Sequence, residues 1–431
     1  MRITRWSIFS LLGIAAGMTA AFTYVNRGLL SIVTSAQADA LVLSSMVPID
    51  FSATQDRAVT FAWQSFVALN WPALAEPRGA PDQSKTIGQP GAVVWNTWKA
   101  PEEIFLPQAQ APPPWNQVGG SLPAECTGAG ANAGDYAVAR ISKSPRNSGS
   151  SVLSDVRQVV GGTLTDQHGT LARYDVRVNQ TLFDAIVAKQ YYNRAIQDQS
   201  TMISFPAGVM EVKAAWRQMT ADDTPEIKAR FFRRDAWIYT PPLGTQPATC
   251  VKGEVGLVGL HITQKTPTRP QWAWATFEQV DNVPAFGTVQ PPPGRTLPYS
   301  FFNPACPPAQ CVPNQSTENN GQPTSTPTQV TRRVNIGAVA QTSNPQWEAA
   351  LAKAVPSSPF AFYQLVDIQW QASPNAPPAP FLLANTTLET YVSQSSCVNC
   401  HSRAKIASGK ISSDYSYVLA EAQAPAGPAA R

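Results

Sequence analysis

Apolar and polar residues alternate at two different spacings along the chain, and long proline-rich stretches separate the segments that carry them. Residues 57–71 (RAVTFAWQSFVALNW) place aromatic and aliphatic residues on one side at helical spacing. Pro72 ends this pattern, which predicts an amphipathic helix with an aromatic face. Residues 72–122, rich in Pro, Gly and Gln with scattered tryptophans, predict an ordered layer of loops over the core.

The middle of the chain changes to the two-residue alternation that is typical of β-strands. Strands are predicted at residues 174–178, 209–216, 255–263, 272–280 and 360–370, and helices at residues 181–197 and 344–354. The third and fourth of these strands predict a hairpin. Asn179 or Thr181 is expected to cap the first helix. Asn344 followed by Pro345 has the favoured order of a cap and a first helical residue.

Two charged residues and a group of aromatic residues in these strands have simple structural explanations. Glu211 and Lys213 alternate with apolar neighbours, so their side chains share one strand face, which is expected to face solvent. Trp272 and Trp274 are expected to pack in the core, although an aromatic wall beside a cofactor would have the same pattern.

The chain contains no internal repeat, and its organisation predicts an α+β fold. A β-rich main domain with long Pro-rich loops is expected over residues 39–384, followed by a short helical segment over residues 385–431. Thr386 and Glu389 have the spacing of a capping box, which predicts a helix that continues into the last segment. A final short helix is predicted at residues 415–422.

Residues 1–38 have the features of an export signal. Arg2 and Arg5 precede an apolar run at residues 8–25, and Ala36-Gln37-Ala38 offers a cleavage site of small residues. The apolar run also nearly reaches the roughly 20 residues that span a bilayer, so an uncleaved N-terminal anchor is the alternative. Both alternatives place the remaining chain outside the cytoplasm, in the periplasm or the extracellular space.

The charge of the chain excludes some classes of partner. Only 14% of the residues are charged, and the first 38 residues contain three basic residues and no acidic ones. The rest of the chain therefore has 29 Lys and Arg residues against 28 Asp and Glu residues. This near-neutral balance predicts neither nucleic acid nor an anionic membrane surface as a partner.

Four cysteines are expected to form two disulfides, because an oxidising compartment favours pairing. They are Cys126, Cys250, Cys306 and Cys311. The simplest of the three possible connectivities joins the nearby pair Cys306 and Cys311 and leaves Cys126 with Cys250.

The remaining two cysteines belong to the sequence Cys397-Val398-Asn399-Cys400-His401. Two thiols three positions apart on a helical turn can both reach the vinyl groups of a porphyrin, and the following imidazole can bind its iron. These five residues resemble the attachment motif of c-type cytochromes. The overall resemblance is to large exported bacterial proteins of the cytochrome c family, and residues 385–431 carry it; for the rest of the chain it implies no particular fold or activity. The resemblance implies one covalently bound haem c, held by Cys397 and Cys400, with His401 as proximal iron ligand.

Two other uses of these cysteines fit the sequence less well. A structural zinc site needs four ligands, and the chain has no second Cys-x-x-Cys pair or pair of neighbouring histidines to complete one. A redox-active dithiol lies at the start of a helix in a βαβ unit, and no such unit is predicted around Cys397.

The ligand on the other side of the iron is not defined by the motif. None of the 30 residues that follow His401 is Met or His, so a sixth ligand must come from the main domain. His261, in an apolar strand, is the first candidate and would otherwise need a hydrogen-bond partner. Met210 and Met202 are further candidates, and an open or water-bound position is the remaining alternative. His168 lies in a polar sequence that predicts a surface turn.

The resemblance implies electron transfer in the periplasm, with a redox partner protein. A main domain of this size also allows a haem enzyme with an open iron site that acts on peroxide, oxygen or a nitrogen oxide. A third possibility is a ligand-binding module in which haem acts as a sensor.

Overall fold

A mixed, mostly antiparallel sheet forms the centre of the molecule. The computed structural model describes residues 41–120, 122–138, 162–242, 245–319, 322–392 and 394–426. The predicted export signal lies outside these residues. Within them the sheet has seven strands. They are β1 (Ala137–Val138), β2 (Arg173–Val178), β3 (Met210–Gln218), β4 (Arg233–Thr240), β5 (Thr249–Thr266), β6 (Arg269–Gln279) and β7 (Tyr363–Gln369).

The long strand β5 organises the sheet. It pairs with β3 along one edge, while β4 and β6 pair with successive parts of its other edge, all antiparallel. β2 extends the sheet beyond β3, β7 extends it beyond β6, and β1 runs parallel to β4. The predicted hairpin is therefore confirmed as β5 and β6, and the other predicted strands correspond to β2, β3 and β7.

The described residues also form seven α-helices. They are α1 (Gln55–Leu69), α2 (Ala124–Gly128), α3 (Gln180–Ala188), α4 (Arg194–Gln199), α5 (Pro225–Ala229), α6 (Ala338–Ala354) and α7 (Cys397–His401). Short 3-10 helices occur at Val94–Thr97, Pro101–Glu103, Pro107–Ala109, Pro359–Phe362 and Val418–Glu421. The β-rich mixture of strands and helices confirms the predicted fold class at this level. No helix in the described part of the chain is long and apolar enough to span a membrane.

One sheet face, which we call the aromatic face, packs against α1 and α6. The ring centroids of Trp63 and Phe66 in α1 lie 5.0 and 4.3 Å from that of Phe277 in β6. Trp347 of α6 stacks on Trp63 at 5.6 Å. The predicted aromatic helix at residues 57–71 is confirmed as α1, which ends before Pro72.

The opposite face, which we call the polar face, is lined by side chains of β3, β5 and β6. Because directly opposed residues of antiparallel strands share a face, one row consists of Lys213, His261 and Thr276. The neighbouring row consists of Glu211, Thr263 and Trp274. The C-terminal segment from Asn385 onward covers this face.

Both predicted disulfides are confirmed. Cys126 is bonded to Cys250, which ties α2 to β5, and Cys306 is bonded to Cys311 within the proline-rich loop after β6. The described residues from Leu43 onward form one compact unit.

Two predicted helices differ in their boundaries. The single helix predicted at residues 181–197 is wrong, because the backbone turns through a left-handed Gln190 (φ 53°) and a second helix begins after Asn193. Asn179 caps α3 by accepting from the Leu182 amide at 3.0 Å.

The predicted cap at Asn344 is also wrong, because α6 begins six residues earlier at Ala338. The Asn344 side chain instead donates to the Leu365 carbonyl at 2.9 Å and accepts from the Trp63 indole at 3.2 Å. It therefore joins α6 to β7 and α1 within the core.

The C-terminal segment contains less helix than the sequence predicts. The Thr386 capping box is wrong: Asn385 accepts from the amides of Thr387 and Leu388, and Glu389 accepts from the Asn385 amide at 2.9 Å. The chain here forms turns. The helix predicted at residues 415–422 is limited to the 3-10 turn Val418–Glu421, because Tyr415 has a left-handed backbone (φ 68°).

Candidate functional site at the C-terminal segment

The short helix α7 brings the two predicted attachment cysteines onto one helical turn. Positions three apart are neighbours on a helix surface, so Cys397 and Cys400 lie on the same side. They are the free cysteines within the described residues, and the other four are in disulfides. Ser396 caps α7 by accepting from the Asn399 amide at 3.3 Å.

Gln369, at the end of β7, holds the start of α7 against the sheet. Its fully buried side chain accepts from the Val398 amide at 2.9 Å and from the Ser396 hydroxyl at 3.1 Å. Its amide nitrogen donates to the Pro380 carbonyl at 2.7 Å. The glutamine thus satisfies one of the amides that a helix N-terminus leaves unpaired. A polar residue at the end of a buried strand is too common a pattern to predict this role.

We expect Gln369→Leu to destabilise the protein by about 1–3 kcal/mol, because the buried Val398 amide and Pro380 carbonyl lose their partner. Urea unfolding of the purified protein measures this loss. Gln364→Leu in the same strand is the control, since the Gln364 side chain makes no hydrogen bond to the described residues. Equal unfolding midpoints for Gln369→Leu and the wild type would contradict the assigned role of Gln369.

His401 is fixed in the tautomer that a metal ligand needs. Its Nδ1 lies 2.8 Å from the Tyr415 carbonyl oxygen. Because a carbonyl can only accept, Nδ1 carries the proton and Nε2 keeps its lone pair. Burial lowers the pKa of His401 to about 4, so the imidazole is neutral at pH 7. The ring packs against Trp274 and Tyr417, with centroid distances of 4.2 and 5.0 Å.

The donor set fits a haem better than the two alternatives. No group of three or more His, Cys, Asp or Glu side chains in the described ranges is arranged to hold a metal ion, as a zinc site requires. A haem iron receives four nitrogens from the porphyrin and needs from the protein only an axial ligand such as His401 Nε2. Burial raises the pKa of the Cys397 thiol, whereas reactive dithiols have a lowered one.

The predicted sixth ligands lie in three different environments. His261 is on the polar face, close enough to His401 to help lower that residue's pKa, but its Nε2 lies 3.0 Å from Glu389 Oε1. Glu389 is therefore the hydrogen-bond partner that His261 was expected to need in the absence of an iron bond. Met210 points to the aromatic face, because it alternates with Glu211 along β3. Met202 is 76% exposed.

The remaining histidine lies outside this arrangement. His168 is in a turn, as predicted, and its Nδ1 lies 2.8 Å from the Thr220 hydroxyl. It lines a small cavity together with Arg217 and Tyr299.

The expectation that Glu211 and Lys213 face solvent is correct only in part, because both residues are half-buried. The C-terminal segment covers this strand face, and the Ser416 hydroxyl donates to Glu211 Oε1. Burial raises the pKa of Glu211 to about 7. Strand alternation alone could not reveal this cover, because Glu211 and Ser416 are 205 residues apart in the sequence.

Comparison of the chain with protein-family models, with curated proteins and with solved structures finds no match.

Proposed function

We propose that this protein is a periplasmic monohaem c-type cytochrome that transfers single electrons. The observation that carries the proposal is the combination of two free cysteines on one turn of α7 with an adjacent His401 whose Nδ1 is tied to Tyr415. Haem, when bound, supplies an iron that accepts and releases one electron.

Each residue of the site has a defined part in this function. In the holoprotein the sulfurs of Cys397 and Cys400 would hold the porphyrin through thioether bonds, and His401 Nε2 would bind its iron. The Tyr415 carbonyl keeps the imidazole in its tautomer and orientation. The Trp274 indole, packed on His401 and 3% exposed, keeps water away from this side of the ligand.

The proposed compartment follows from the sequence and the disulfides. The N-terminal signal directs export, and two disulfides are typical of proteins in oxidising compartments. A single haem can only accept an electron from one molecule and pass it to another, so the proposal includes a redox partner protein.

A haem enzyme with an open sixth position is the second candidate, and the contact between His261 and Glu389 favours it. His261 Nε2 is occupied by the carboxylate, so the nitrogen that would bind iron has another partner. A hydrogen-bonded His–Glu pair near an open iron could assist a bound peroxide, oxygen or nitrogen oxide.

Absorption spectra of the holoprotein, oxidised and reduced, with and without carbon monoxide, distinguish the two candidates. Electron transfer predicts a low-spin spectrum that carbon monoxide does not change, because two firm ligands occupy the iron. An open site predicts a high-spin spectrum that changes on carbon monoxide addition, and this result would overturn the electron carrier. His261→Ala should convert the first result into the second only if His261 is the sixth ligand.

A further inference from the structure

Glu211 is connected to the proposed iron ligand through two adjacent residues of the C-terminal segment. The Ser416 hydroxyl donates to its carboxylate, and the preceding residue, Tyr415, accepts from His401 Nδ1 at 2.8 Å. The Ser416 hydroxyl also accepts from the Val418 amide at 3.2 Å, which fixes its orientation toward Glu211. A change of charge on Glu211 therefore acts on Ser416 and on the adjacent Tyr415. The Tyr415 carbonyl in turn sets the basicity of the His401 imidazole.

The surroundings of Glu211 leave its carboxyl near the balance between its charged and neutral forms. The charged and titratable groups of this face include Lys213 on its own strand, His261 and Lys265 on β5, Glu278 on β6, and Glu389, His401 and Asp414 on the C-terminal segment. Burial favours the neutral acid, while the Ser416 hydrogen bond and Lys213 favour the carboxylate. Lys265 is itself bonded to Asp414 at 2.7 Å.

We propose that Glu211 is a positioning residue that couples proton uptake to electron transfer at this site. The inference rests on the proposed haem function. When a one-electron donor protein reduces the site, Glu211 takes one proton from solvent at its carboxylate, and oxidation releases that proton again. The added electron and the added proton cancel in charge, so the buried polar face does not become more negative.

The sign of the pH dependence follows from linkage. An added electron disfavours a nearby carboxylate and raises the pKa of Glu211 in the reduced protein. The reduced state then binds more protons than the oxidised state, so the midpoint potential falls as pH rises through the interval between the two pKa values. A tenfold change in the equilibrium constant for each pH unit corresponds to about 59 mV for one electron, which is the steepest slope expected.

The test is a spectroelectrochemical titration of the holoprotein from about pH 5 to pH 9, which spans the pKa of about 7. We expect the wild-type midpoint potential to fall across this range and the Glu211→Gln potential to stay flat. Glu348→Gln is the matched control: burial raises the pKa of this α6 carboxyl to about 7 as well, but α6 packs on the aromatic face. The midpoint potential of Glu348→Gln should fall with pH at the same slope as that of the wild type.

Two further variants keep the test decisive if Glu211→Gln fails to fold. Ser416→Ala removes a hydrogen bond that favours the carboxylate, so the pH interval over which the midpoint potential falls should move to higher pH. Asp414→Asn removes a negative charge near Glu211, so the interval should move to lower pH. The carbon-13 carboxyl resonance of Glu211 in labelled protein reports the same shifts without any electrode.

A flat wild-type potential, or a slope that persists in Glu211→Gln, would overturn this inference while leaving the haem function intact. Protein that contains no covalent haem by mass spectrometry would instead overturn the proposed function and this inference with it. The two failures are therefore distinguished before any potential is measured.

Discussion

The double substitution Cys397→Ser/Cys400→Ser is expected to remove all covalently bound haem from the protein. A thioether forms only at sulfur, and these are the cysteines that remain free in the described chain. Mass spectrometry of the denatured protein should find the wild type heavier by one haem and the variant at its polypeptide mass. Each single variant should keep one thioether and therefore retain the haem mass.

The matched control is Cys306→Ser/Cys311→Ser, which also removes two cysteines of the chain. This pair is bonded in a loop distant in sequence from α7, so the control should retain its full haem content. Haem on the Cys397→Ser/Cys400→Ser variant after denaturation would contradict the assignment. Loss of haem from both variants would indicate a folding defect rather than a missing attachment site.

Local sequence patterns were sufficient to predict the parts of the fold that depend on neighbouring residues. The alternation in β5 and β6 predicted the hairpin, and the aromatic spacing before Pro72 predicted α1. The motif around His401 was visible for the same reason, because its spacing is that of one helical turn.

Several predictions failed for one physical reason, which is contact between residues far apart in the chain. Asn344 has the sequence context of a helix cap, but its amide is used by Leu365 and Trp63 across the core. Glu211 has the pattern of an exposed strand residue and is covered by a segment near the C-terminus. Gln369 resembles any buried strand glutamine, yet it holds α7 in place.

A buried ion pair joins β6 to the loop before α6, its carboxylate also accepts a hydrogen bond from the C-terminal segment, and breaking this pair should be strongly destabilising. Glu278 of β6 is fully buried, accepts from the Thr386 amide at 2.6 Å and binds Arg332, whose side chain is 3% exposed. Glu278→Ala leaves the Arg332 charge buried without a partner, which costs about 3–5 kcal/mol. Guanidinium unfolding should therefore show a large fall in the midpoint, whereas Glu226→Ala on the exposed surface of α5 should change it little.

The double variant Glu278→Leu/Arg332→Met separates the cost of an unpaired charge from the value of the pair itself. Removing both charges abolishes the uncompensated guanidinium, so we expect this variant to be more stable than Glu278→Ala. A remaining loss of about 1–3 kcal/mol should come from the Thr386 amide, which no longer has an acceptor. Equal stability of the single and double variants would contradict the role of the ion pair. Because Thr386 lies at the start of the segment that leads to Cys397, a lower content of covalent haem in Glu278→Ala than in the double variant would locate the effect at the attachment site.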